Sequence, residues 1–126
     1  AVLHAHPDLV SSPPFLGGCD LNGVGFKAAT LQEAVMTFLL VSTIYATSVD
    51  PRGSKATTGL AIGMTVTFCI LAGGPLTGAA LNPARTFGPA VVSGHWANWY
   101  VYWAGPLVGG VAAALLYENL YLEKQT

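Results

Sequence analysis

GGPLTGAALNPARTFGPAVVSGHW, residues 73–96, is the most informative run of this sequence. Pro75, Pro83 and Pro89 interrupt it, so it cannot cross a membrane as one continuous helix. Yet the run is almost uncharged, with Arg85 as its only lysine, arginine, aspartate or glutamate. Lipid does not tolerate irregular backbone, because each unpaired amide group costs several kcal/mol there. The run is therefore expected to be buried in protein or to line a water-filled cavity, as in a channel or transporter.

A short helix is predicted within this run, from Asn82 to about Val92. Asn is a preferred N-cap residue and Pro83 is a preferred first helical residue. In a soluble protein such a pair would be a helix cap and nothing more. A helix of this length is only a half-span, so its N-terminus would lie near the middle of the bilayer with a positive dipole end. The Asn82 amide and the charge of Arg85 would favour a neutral oxygen such as that of water and repel cations.

Three flanking runs are long and apolar enough to cross the membrane, at about residues 28–48, 57–73 and 99–122. The second is expected to end where Gly73, Gly74 and Pro75 interrupt it. The sequence thus predicts an all-α membrane protein with three transmembrane helices and one re-entrant half-helix at about 82–92.

Composition supports this class. Of the 126 residues, 9% are charged, against a usual share of roughly 25%, and 52% are hydrophobic. A net charge of −1 gives no electrostatic basis for binding nucleic acid. We recognise no pairing of a nucleophile with a base that would indicate an enzyme, and no cofactor is expected. His4, His6 and Asp8 alternate like metal ligands, but without further ligands an outer loop explains them at least as well.

The basic residues predict an orientation. Arg52 and Lys55 lie in one short loop, and Lys124 follows the third span on the same side, whereas Lys27 is alone on the other side. Because positive charge favours the cytoplasmic side, the 50–58 loop and the C-terminus are predicted to be cytoplasmic.

The run 73–96 and its flanking spans resemble the second half of an aquaporin, from about Phe26 to Leu122. The resemblance is closest to the vacuolar-membrane and ammonia-permeable branch, on the segments ILAGGP and NPARTFGPAVVSGHW. It implies six tilted helices and two half-helices built as inverted repeats, assembled as a homotetramer with one pore per subunit. Residues 1–26 would be the end of the third helix and an outer loop, and residues 27–126 the second repeat.

The resemblance also implies site residues. Asn82, Pro83 and Ala84 would form the pore motif. Ile70, Ala79 and Arg85 would belong to the selectivity filter. The carbonyl groups of Gly78, Ala79 and Ala80 would line the pore.

Glu33 is an ionisable group within an apolar span, and two interpretations of it remain open. The resemblance implies that it accepts hydrogen bonds from the pore-loop amides. Alternatively, it lies near enough to the end of its span to extend toward the interface.

Aquaporins carry two Asn-Pro-Ala motifs, whereas this sequence has one, so the 126 residues are expected to be part of a longer chain. The predicted function is a passive channel for water, extending to small neutral solutes such as ammonia, hydrogen peroxide or urea. The alternative is an aquaporin-like membrane subunit that does not conduct and serves a structural or accessory role.

Overall fold

The computed structural model describes residues 17–122. That part of the chain is helical and contains no strand, so the all-α prediction is confirmed there. Its helices are α1 (Phe26–Ile44), continued by a π-helical turn (Tyr45–Val49), then a 3-10 turn (Lys55–Thr57), α2 (Thr58–Thr77), α3 (Pro83–Ser93) and α4 (Trp99–Leu120).

Three continuous helical segments are long and apolar enough to cross a membrane: Phe26–Val49, Lys55–Thr77 and Trp99–Leu120. The shortest has 22 residues, or about 33 Å at about 1.5 Å per residue, against a hydrocarbon core of about 30 Å. Helix α3 has only 11 residues, about half that length. The bounds of the three spans and of α3 lie close to those predicted, except at the end of α2.

The expected end of α2 near Gly73 is wrong, since the helix continues through Pro75 to Thr77. A Cβ at Gly73 would lie 2.5 Å from Met36 Sδ, so this glycine permits close approach of α1 instead of breaking the helix. Pro75 lacks the N–H that would bond to the carbonyl four residues earlier, yet the helix continues past it. The last carbonyls of α2 have no donors within the helix and accept hydrogen bonds from outside it. Asn22 donates from its backbone nitrogen to the Leu76 carbonyl at 2.8 Å and from Nδ2 to the Pro75 carbonyl at 3.1 Å.

Helices α1 and α4 pack closely because α4 presents glycine to α1. A Cβ at Gly105 would lie 2.8 Å from the Thr30 carbonyl oxygen, and one at Gly109 would overlap the backbone of Ala34. This contact brings the middle of α4 against the turn of α1 that carries Glu33. By contrast, a Cβ at Gly59 would meet nothing within 4 Å among the described residues.

The loop after α1 is fastened to the end of α4 by Asp50, whose side chain is buried. Its carboxylate accepts hydrogen bonds from Arg52 Nη2 at 2.8 Å and from the Tyr117 hydroxyl at 3.2 Å. Arg52 Nη2 also donates to the Tyr121 carbonyl. Hydrogen bonds from the Arg52 side chain and backbone, and then from Tyr117, hold the pKa of Asp50 well below its usual value. The basic loop and the end of α4 therefore lie at the same end of the helices.

Candidate functional site: the re-entrant loop and the start of α3

Asn82 begins α3 as an N-cap. Its backbone is extended (φ −157°), and its Oδ1 accepts a hydrogen bond from the Ala84 nitrogen at 2.8 Å. Pro83 takes the first helical position, where its missing N–H costs nothing. The cap uses only the side-chain oxygen, so the Asn82 amide nitrogen keeps both hydrogens for another acceptor. The side chain of Asn82 is exposed in the described part of the chain.

Residues 78–82, named here the re-entrant loop, connect α2 to α3 through an unusual backbone. Gly78 has φ +82°, and two residues with side chains, Ala79 (φ +47°) and Leu81 (φ +61°), are also left-handed. Outside glycine this conformation costs roughly 1–2 kcal/mol per residue. Contacts from neighbouring helices must therefore stabilise the loop.

Glu33 of α1 provides most of these contacts. Its Oε1 accepts from the Ala80 nitrogen at 3.0 Å and from Thr77 Oγ1 at 2.7 Å, and its Oε2 accepts from the Leu81 nitrogen at 2.9 Å. The side chain is 0% exposed, so it turns inward toward the loop and not along its helix to the interface. A buried carboxylate that accepts several hydrogen bonds fixes the groups that donate to it.

Arg85 lies one turn into α3 and folds back over the re-entrant loop. Its Nη1 donates to the Ala79 carbonyl, and also to the Gly78 carbonyl at 3.3 Å. The loop carbonyls thus orient the guanidinium group while the side chain remains exposed. Ala80 differs from Gly78 and Ala79, because its N–H group contacts Glu33, whereas the carbonyls of Gly78 and Ala79 contact Arg85.

The structure brings Ala79 and Arg85 into contact, and their role in a selectivity filter stays a prediction. Ile70 lies two turns before the end of α2, with its side chain 42% exposed. Its place in the same filter stays a prediction, as do the roles of the residues of the pore motif.

Two buried hydroxyl groups contact the loop region, and no role was predicted from the sequence for either of them. Thr77 Oγ1 contacts Glu33 and accepts from the Ala79 nitrogen at 3.2 Å, and Tyr102 of α4 donates to the Thr77 carbonyl at 2.9 Å. Thr77 is 0% exposed and Tyr102 is 1% exposed. The sequence offers one indication of the role of Thr77. It is a hydroxyl residue in an apolar run, directly before a glycine, which is typical of a helix end whose polar groups need partners.

Residues 17–22, named here the segment before α1, also contact the loop. Cys19 Sγ lies 3.6 Å from the Gly78 carbonyl oxygen, and burial raises the pKa of the Cys19 thiol to about 11. Asp20 contacts His95 Nε2 at 2.9 Å and Asn98 Nδ2 at 3.2 Å, which connects the segment to the turn between α3 and α4. Partial burial opposes ionisation of Asp20, but its hydrogen bonds outweigh that effect and lower its pKa. The suggested ligands His4, His6 and Asp8 lie outside the described residues.

Comparison with known proteins identifies the family. The model of the major intrinsic protein family matches residues 12–117. Aquaporin TIP4-4 of Zea mays is 52% identical over 101 residues, covering 79% of this chain and 40% of that protein. A probable TIP-type aquaporin of Medicago sativa is 53% identical over 116 residues (89% and 45%), and aquaporin TIP1-1 of Arabidopsis thaliana is 56% identical over 102 residues (79% and 41%).

These matches confirm the resemblance predicted from the Asn82-Pro83-Ala84 motif and its flanking spans, and the TIP-type relatives agree with the predicted branch. The chain spans less than half the length of these relatives. Three apolar helices of spanning length accompany the match, as expected of an integral membrane protein. The chain therefore belongs to the major intrinsic protein family, the family of the aquaporins.

Proposed function

We propose that this chain forms part of a passive water channel and that water passes the start of α3. The observation that carries the proposal is the anchoring of the re-entrant loop by Glu33, which is 0% exposed. That anchoring leaves the side chains of Asn82 and Arg85 exposed at a helix N-terminus.

The chemistry of these groups suits a neutral oxygen. The Asn82 amide donates hydrogen bonds, and the positive dipole end of α3 orients the water oxygen toward it. Arg85 adds a fixed positive charge, which repels cations and hydronium. Its N–H groups also donate to water, which compensates for hydrogen bonds that water loses on leaving bulk solvent. The loop carbonyls of Gly78 and Ala79 hold that charge in place.

We extend the proposal to small neutral solutes. Ile70 is branched and apolar, and Ala79 adds little bulk, so a filter containing them favours solutes that lose little hydration free energy on entry. Ammonia, hydrogen peroxide and urea are the candidates. The relatives named as TIP-type aquaporins support the assignment to water channels, and the solute range rests on the two side chains alone.

The remaining wall of the pore is proposed to come from other segments of a full-length protein, which assembles as a homotetramer. The chain spans less than half the length of its relatives, which supports this division. The loop that carries Arg52 and Lys55 and the end of α4 are proposed to face the cytoplasm, because their basic residues exceed those of the opposite side.

The test is osmotic swelling of proteoliposomes that contain the full-length protein, measured by stopped-flow light scattering. Wild type is expected to shrink or swell faster than protein-free vesicles without conducting protons. Arg85→Val is expected to retain water permeability and to admit protons or larger solutes. Swelling no faster than that of empty vesicles would instead support the non-conducting accessory role.

A further inference from the structure

We infer that Thr77 and Tyr102 are positioning residues that set the selectivity of the channel through Ala79 and Arg85. The inference rests on the proposed function, in which Arg85 excludes cations. Neither hydroxyl belongs to the pore motif or the filter. Each acts through the backbone of the re-entrant loop.

The first step is the orientation of the Thr77 hydroxyl. A threonine hydroxyl has one hydrogen, and the Glu33 Oε1 atom at 2.7 Å is a closer and more strongly charged acceptor than the Gly73 carbonyl at 3.4 Å. Donation to Glu33 directs the lone pairs of Thr77 Oγ1 elsewhere. One of them accepts the Ala79 N–H group at 3.2 Å.

The second step runs from Ala79 to Arg85. Ala79 is 0% exposed and has φ +47°, which is strained for a residue with a side chain. Its N–H group is held by Thr77, and its carbonyl accepts from Arg85 Nη1. Releasing the N–H group allows the peptide to relax toward an ordinary conformation, which moves the carbonyl that orients the guanidinium group.

Tyr102 fixes the same point from the other side. Its hydroxyl donates to the Thr77 carbonyl at 2.9 Å, and its ring is 1% exposed within α4. Because α4 packs on α1 through Gly105, the two anchors Glu33 and Tyr102 belong to helices in direct contact. Thr77 is thereby held at its hydroxyl from α1 and at its carbonyl from α4.

The test compares Thr77→Val, Thr77→Ser and Tyr102→Phe with wild type in the full-length protein, using the ratio of proton to water permeability. Thr77→Val and Tyr102→Phe are each expected to raise this ratio about fivefold, the factor that corresponds to one hydrogen bond of about 1 kcal/mol. Thr77→Ser retains the hydroxyl and is expected to restore the wild-type ratio. Tyr100→Phe is the matched control, since Tyr100 lies on the same helix but is exposed.

A second readout is amide hydrogen exchange of the segment that contains Ala79, which does not depend on conduction. We expect faster exchange in Thr77→Val, but not in Thr77→Ser, whether or not the wild-type protein conducts water. A wild type that conducts no water, together with this exchange pattern, would refute the proposed function but not this inference. If Thr77→Val does not fold, Tyr102→Phe decides the question. Unchanged exchange, or a permeability ratio that stays at the wild-type value while water still flows, overturns the inference.

Discussion

Glu33 Oε2 accepts a hydrogen bond from the Leu81 nitrogen at 2.9 Å, across 48 residues of sequence. One carboxylate of α1 thereby holds the backbone directly before Asn82. This contact explains how a loop with two left-handed residues that are not glycine is kept inside a membrane protein.

Replacing Glu33 with Gln is expected to weaken both folding and conduction. The variant turns one carboxylate oxygen into a donor facing an N–H group, so a buried amide loses its acceptor at a cost of about 1–3 kcal/mol. Thermal unfolding in detergent and osmotic permeability measure the two effects. Glu118→Gln is the matched control, because Glu118 is exposed on α4 and contacts the Tyr45 hydroxyl. Equal losses in both variants would show that the loop does not depend on Glu33.

Replacing Gly109 with Ala is expected to separate α1 from α4. The added Cβ would overlap the backbone of Ala34, which cannot move without shifting its helix, and overpacking of this kind costs about 1–3 kcal/mol. The control is Gly110→Ala, whose new Cβ would lie 3.7 Å from Val41 Cγ2, an ordinary contact. Thermal unfolding that does not distinguish the two variants would rule out this packing.

The contribution of Asp50 to stability is expected to depend on pH. Its pKa in the folded chain lies below the unfolded value of about 3.9. The stabilisation is therefore complete above about pH 4 and is lost as the pH falls through the lower folded pKa. We expect Asp50→Asn to be less stable than wild type near neutral pH, and the difference in melting temperature to shrink in acid. A difference that stays constant or grows in acid would contradict this.

Replacing Ile70 with His is expected to lower the ratio of ammonia to water permeability. The imidazole would narrow the predicted filter and offer water a polar partner that the apolar Ile70 does not. Leu71→His is the control, since the next residue points about 100° around the helix and is 71% exposed. Stopped-flow uptake of ammonia and water measures the ratio, and an equal ratio in wild type and Ile70→His would remove Ile70 from the filter.

The start of α3 was predictable from sequence because it depends on local chemistry. Asn82 is the N-cap of α3 and Pro83 is its first residue. The preference of each residue type for its position depends only on the geometry of the first helical turn. The spanning helices were predictable for a similar reason, since length and hydropathy are properties of single segments.

The end of α2 and the hydroxyl contacts were not predictable in this way, because they depend on residues far apart in the chain. Gly73 resembles a helix breaker until the contact with Met36 is known, and the carbonyls of Pro75 and Leu76 at the end of α2 accept hydrogen bonds from Asn22, which is more than fifty residues away in the chain. The contact between Thr77 and Tyr102 joins helices whose packing no local pattern encodes.

The most direct test of the account is the osmotic water permeability of the full-length protein carrying Asn82→Ser. Serine retains an oxygen that caps α3 but replaces the two amide hydrogens with one hydroxyl hydrogen on a shorter side chain, so the variant keeps the cap and weakens hydrogen bonding to water. Asn119→Ser, at an exposed position of α4, is the matched control. The account predicts wild-type thermal stability in both variants and a reduced water permeability per protein molecule in Asn82→Ser alone. A water permeability of Asn82→Ser equal to that of wild type, at equal protein content, would contradict it.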